Sequence, residues 1–73
     1  MTEQITQEGF FNSILGDWVT HFESTKGVIS LAPPSYASLG RYEIFCLKGD
    51  FFEGPKRYST LEDAKLAIYQ LLT

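Results

Sequence analysis

Phe10-Phe11-Asn12-Ser13-Ile14-Leu15-Gly16-Asp17-Trp18-Val19-Thr20-His21-Phe22 is the stretch on which the architecture turns. Its apolar residues come as doublets separated by polar pairs: Phe10-Phe11, Ile14-Leu15, Trp18-Val19, and then Phe22. Recurrence every four positions lies close to the helical period and lays one apolar stripe along a helix. On a strand, neighbouring residues point to opposite faces and the doublets would be divided. The pattern predicts an N-terminal helix, capped by Thr6 and stopped at Gly27 after Ser24-Thr25-Lys26. Opposing it, Gly9 and Gly16 would each cost about 1 kcal/mol in a helix interior. Aromatic and β-branched residues are also only middling helix formers. A hairpin from Trp18 to Leu31 is the competing reading.

C-terminal to this stretch, Val28 to Ala32 is a short apolar run expected to form a strand. It is ended by Pro33-Pro34, which cannot donate to a sheet ladder. Pro33 to Gly40 is a Ser/Pro/Gly-rich loop in which Tyr36 and Leu39 are the bulky members. Arg41–Lys48 and Phe51–Tyr58 then read as a hairpin about a Gly49-Asp50 turn. That register sets Lys48 opposite Phe51, Leu47 opposite Phe52 and Glu43 opposite Lys56, a favourable charge pair. Tyr42, Ile44, Cys46 and Lys48 point one way, and Arg41, Glu43, Phe45 and Leu47 the other. Phe45, Leu47 and Phe52 share a face that the helices are expected to cover. Gly54-Pro55 should press the second strand to the sheet edge or into a bulge.

Ser59-Thr60-Leu61-Glu62 has the form of a capping box, with Ser59 and Glu62 satisfying donors at a helix start. From about Leu61 to Leu72, Leu61, Ala64, Ile68 and Leu71 make a buried stripe, and Ala64 and Ala67 permit close approach to a sheet. The fold expected is α+β, in the order αβββα: an N-terminal helix, a three-stranded antiparallel sheet and a C-terminal helix. The 73 residues form one domain, with residues 1–5 frayed.

Composition narrows function by exclusion. Aromatics at 15% indicate a folded chain. Residues 1–23 carry Glu3, Glu8, Asp17 and Glu23 with no Lys or Arg, which opposes a phosphate-binding face there. A single cysteine, Cys46, forms no internal disulfide and fits a reducing compartment. No basic region followed by an apolar run opens the chain, so no signal peptide is expected. No apolar run reaches the ~18 residues of a membrane span.

The chemistry-bearing residues are sparse. His21 and Cys46 are each single, and a nucleophilic pair would require them to meet in space. A zinc site would need further Cys or His ligands. Asp17 with Glu23, and Glu62 with Asp63, are explained by helix-surface solvation and capping. With no Gly-rich phosphate loop, the expectation is a protein that is not an enzyme, with no catalytic residues, no metal and no cofactor.

The expected order helix-strand-strand-strand-helix resembles the double-stranded-RNA-binding domain, and Ser59…Ala64-Lys65…Ala67 is similar to the start of that family's last helix. Where the family places Lys residues to grip phosphates, this chain has Leu61-Glu62-Asp63. Tyr58 to Ala64 also looks like the hairpin-to-helix corner of AP2-type and phage-integrase arm domains. Those domains read DNA with Arg- and Trp-rich strands. Here Arg41, Lys48, Lys56 and Arg57 are interleaved with Glu43, Asp50 and Glu53.

A third resemblance joins size, acidity and the Thr60-Leu61-Glu62-Asp63-Ala64 helix start. In these the chain is similar to bacteriophage host-takeover proteins that inhibit or regulate bacterial RNA polymerase. The resemblance implies a non-enzymatic binder acting in the host bacterial cytoplasm. It would occlude promoter-specific, σ-dependent initiation, touching neither membrane nor nucleic acid directly. Anti-CRISPR proteins fit the same description. The partner-binding surface expected is the sheet face bearing Tyr42, Ile44 and Phe51, with Arg41, Lys56 and Arg57 at its edge.

Overall fold

Asn12 closes a turn where a helix is expected. In the computed structural model, which describes residues 4–73, Asn12 Oδ1 accepts from the backbone N–H of Ile14 at 2.9 Å and of Leu15 at 3.0 Å. Its carbonyl oxygen accepts from the N–H of Gly16 at 2.8 Å. Asn favours such self-capped turns. Gly16 takes a φ of 72°, which glycine alone adopts without strain. The chain therefore folds back, and the N-terminal helix is replaced by two antiparallel strands, β1 (Thr6–Asn12) and β2 (Asp17–Ser24).

The doublets mislead because this ribbon uses both of its faces. Phe10 pairs with Val19 on one face, and Phe11 with Trp18 on the other. The aromatic and β-branched residues that were poor for a helix suit a strand pair. Gly9, costly in a helix, lies beside Trp18, whose ring comes within 3.9 Å of where a Cβ would stand. The competing hairpin also forms. Ser24 faces Gly27 across a Thr25-Lys26 turn, and β2 pairs with β3 (Gly27–Ala32). Gly27 is required by space, since a Cβ there would stand 2.2 Å from the Lys48 carbonyl oxygen and 2.8 Å from the Phe51 ring.

β4 (Tyr42–Lys48) and a short β5 (Lys56–Tyr58) complete a five-stranded antiparallel sheet in the order β1-β2-β3-β4-β5. The fold is thus a five-stranded meander with one C-terminal helix, α1 (Leu61–Leu72), in place of αβββα. Residues 1–3 of the segment expected to fray lie outside the described residues; Ile5, within it, packs against the core.

The link between β4 and β5 is longer than a two-residue turn. Residues 49–55 form no strand, and Phe51 folds over Gly27 and Gly49. The register slips by one, so Glu43 faces Arg57 and not Lys56. The expected opposite-charge pair is realised with that neighbour, Arg57 Nε to Glu43 Oε2 at 3.1 Å. β5 lies at the sheet edge, as Pro55 requires.

α1 begins at Leu61, but its cap sits one residue later than the capping box implies. The Thr60 hydroxyl accepts from the Asp63 N–H at 3.1 Å. Its buried residues are Ala64, Ile68 and Leu72; Leu71 is half-buried and Leu61 exposed. They close on Phe22, Ile29, Leu31 and Ile44 to form the core. Ser24 Oγ donates to the Leu72 carbonyl at 2.9 Å, satisfying an acceptor at the helix end. The helix therefore covers the face of Ile44, and the face of Phe45 and Leu47 is left without one. The β3 pairing decides this. Ile29 and Leu31 face Cys46 and Ile44, whereas Ser30 faces Phe45.

Candidate functional site: the uncovered sheet face

Strand alternation carries each register pair through to one side of the sheet. On the side away from α1 it gathers Phe10 from β1, Val19 and His21 from β2, Ser30 from β3, and Phe45 and Leu47 from β4. Ile14 and Leu15, in the β1–β2 turn, join them at one end. Together with Asn12, all but Phe10 line an open groove of ≈ 450 Å³. Its floor is tight, with Val19 and Ser30 buried. Its walls are not: Leu15 is 43% exposed and Leu47 53%, and Phe10, beside the groove, is 40% exposed. The Phe10 ring packs on the His21 imidazole with centroids 4.3 Å apart.

Charge on this face is of one sign at the β1–β2 end. Glu8 pairs with His21, Asp17 with Asn12 and Glu23 with Thr6, so all three carboxylates share the side of Phe10 and Val19. No Lys or Arg occurs in residues 1–23 to balance them. At the far end Glu43 is buried and held by Arg57, whose side chain is 41% exposed.

Apolar side chains are also exposed elsewhere among the described residues. Beyond Thr20, β2 has left β3 behind. There Phe11 and Trp18 meet edge to face at 5.7 Å, both exposed. In the β3–β4 loop Tyr36 and Leu39 stand out into solvent and do not return to the core. The buried Ser38, whose hydroxyl donates to the Arg41 carbonyl at 2.6 Å, fixes that loop.

The six residues expected to form a partner surface are not gathered on one exposed face. Ile44 is wholly buried in the core. Tyr42 and Phe51 are half-buried and pack against it. Arg41 is exposed just before β4. Lys56, also exposed, holds its ammonium 5.5 Å from the Phe52 ring centroid. Arg57, facing the opposite side from Lys56, is occupied by Glu43. The residues of the uncovered face that the expected surface leaves out are Phe10, Val19, Phe45 and Leu47. Their signal was the alternation Val19-x-His21-x-Glu23 against Trp18-x-Thr20-x-Phe22, visible once the stretch is treated as a strand.

His21 lies on the uncovered face and Cys46, opposite Ile29, on the helix side, so the two cannot share a proton. The Cys46 thiol donates to the Gly49 carbonyl at 3.0 Å. Among the described residues no three His, Cys, Asp or Glu side chains are grouped to hold a metal ion, and no helix is long and apolar enough to cross a membrane. The order of elements departs from the double-stranded-RNA-binding domain, which has a helix where this chain has β1 and β2. Comparison with protein-family models, with curated proteins and with solved structures finds no match to the chain.

Proposed function

We propose that this chain is a non-enzymatic binding protein that inhibits or regulates transcription by binding bacterial RNA polymerase and occluding promoter-specific, σ-dependent initiation in the host cytoplasm. The observation that carries the binding role is the apolar sheet face that α1 leaves uncovered, with Phe10, Leu15 and Leu47 exposed around a buried floor. Aromatic and aliphatic anchors inside a polar rim are the usual anatomy of a protein-binding surface. The choice of partner rests on the resemblance of the Thr60 to Ala64 helix start to phage inhibitors of the polymerase. Glu8, Asp17 and Glu23 beside the anchors suit a basic patch on the partner and would speed encounter with it. An occluder needs only about 800 Å² of its own surface and no turnover.

Promoter-directed transcription with purified core polymerase and σ factor tests this reading. Suppression should saturate as the inhibitor approaches the concentration of polymerase. A Phe10→Ser, Leu47→Ser double variant should be folded yet weakened by roughly tenfold or more, the scale of losing interface anchors. Undiminished transcription in excess folded protein, across several bacterial polymerases, would exclude the polymerase as partner.

A further inference from the structure

We propose that the free edge of β1 is a strand-addition site for an extended, Lys- or Arg-bearing segment of a partner protein. The proposal rests on the reading of the chain as a protein-binding module but not on the identity of that partner. Natural sheets guard their edges with short strands, prolines, lysines or bulges. The two edges of this sheet differ in that respect. β5 has three residues, follows Gly54-Pro55 and carries Lys56 and Arg57. β1 has seven residues, pairs with β2 without a register shift, and contains no Pro, Lys or Arg. It is exposed along nearly its whole length, and no strand of the described residues lies on its outer side. An unguarded edge presents a row of backbone donors and acceptors that a second strand can use.

The side chains select the incoming strand. Thr6, Glu8, Phe10 and Asn12 point to the uncovered face, and Gln7, Gly9 and Phe11 to the other. Across an antiparallel ladder, residues directly opposite lie about 4.5–5.5 Å apart at Cβ. Alternate residues of an added strand would therefore meet Glu8 and Phe10, where a cation gains both a carboxylate and an aromatic face. The intervening residues would meet Gly9 and Phe11, where apolar side chains fit. Asp17 and Glu23 on β2 add negative charge to the same face as Glu8. The same charge disfavours a second copy of the chain as the occupant, since its own β1 would bring Glu8 and no cation.

The probe is a capped peptide of about nine residues alternating Lys with Val, long enough to span β1 at roughly 3.4 Å per residue. Titration by calorimetry and amide NMR should give saturable one-to-one binding, with the largest shifts in β1. Replacing Lys by Glu in the peptide, or making Glu8→Lys in the protein, should weaken binding about tenfold or more. Two further peptides, N-methylated on one alternation or the other, separate backbone pairing from side-chain docking. One should lose about tenfold and the other little, because only alternate N–H groups of an added strand face the edge. Equal behaviour of the two methylated peptides would overturn strand addition even if Glu8→Lys fails to fold. So would absence of binding, or a concentration-dependent dimer of the chain that the peptide does not displace. Peptide binding alongside an inert polymerase assay would discard that partner and leave the edge site standing.

Discussion

On the helix side of the sheet, Phe22, Ile29 and Ile44 are wholly enclosed by Ala64, Ile68 and Leu72. On the opposite side, Phe10 and Leu47 keep about half of their surface in water. The strands offer apolar residues to both faces, and one helix can serve only one of them. A helix of 12 residues is roughly 18 Å long; α1 packs across β2 to β5, where Tyr69 also accepts a hydrogen bond from Gln7 of β1, and leaves the turn end of the β1–β2 ribbon to extend a molecule of 39 × 22 × 21 Å. Burial on the covered face holds the fold together. Exposure on the other is what the proposed binding role draws on, and the contrast between the two can be broken or sharpened by substitution.

The largest effect is expected on the covered face. Ile44→Ala should lower unfolding free energy by about 2–5 kcal/mol, through lost transfer energy and the cavity left behind. Leu47→Ala, three residues along on the uncovered face, should cost less than about 1 kcal/mol. Urea denaturation compares them, and equal costs would erase the distinction between the faces. Next comes Gly27→Ala, which drives a methyl group against the Lys48 carbonyl and the Phe51 ring. A loss of about 1–3 kcal/mol is expected from this overpacking, and a neutral result would mean that the β2–β3 turn lies elsewhere.

At the helix start, Thr60→Ala should cost about 1 kcal/mol. Ser59→Ala should cost less than about 0.5 kcal/mol, because the Thr60 hydroxyl, not that of Ser59, accepts from Asp63. Reversal of that order in thermal melts would restore the capping box of the sequence. Phe10→Ser should cost no more than about 1 kcal/mol, the scale of its cross-strand pair with Val19, although the same change is expected to damage partner binding.

The C-terminal half was legible because its signals are local. Thr60 followed by acids, the spacing of Ala64 and Ile68, and the Pro33-Pro34 break each act within a turn or two of the chain. The N-terminal half was not, because Phe10-Phe11 and Trp18-Val19 fit a helical stripe as well as they fit a ribbon used on both faces. Asn12 and Gly16 decide between them through a turn whose hydrogen bonds a periodicity count does not register. The face assignment failed for a related reason. Parity within Arg41–Lys48 was correct, but which side meets the helix is set by Ile29 and Leu31 pairing with Cys46 and Ile44 across the β3–β4 ladder. The expected partner surface is divided with it, since Ile44 stands on the side that became the core while Arg41 and Lys56 stay exposed.

Hydroxyl-radical footprinting of the chain, free and bound to purified bacterial RNA polymerase, tests most directly whether the uncovered face is the working surface. The method reports side-chain exposure residue by residue. Phe10, Leu15, His21 and Leu47 should lose oxidation in the complex, while Tyr36, Leu39 and Leu66, exposed elsewhere in the molecule, keep theirs. Protection of Tyr36, Leu39 or Leu66 with an unchanged Phe10 and Leu47 would contradict the account.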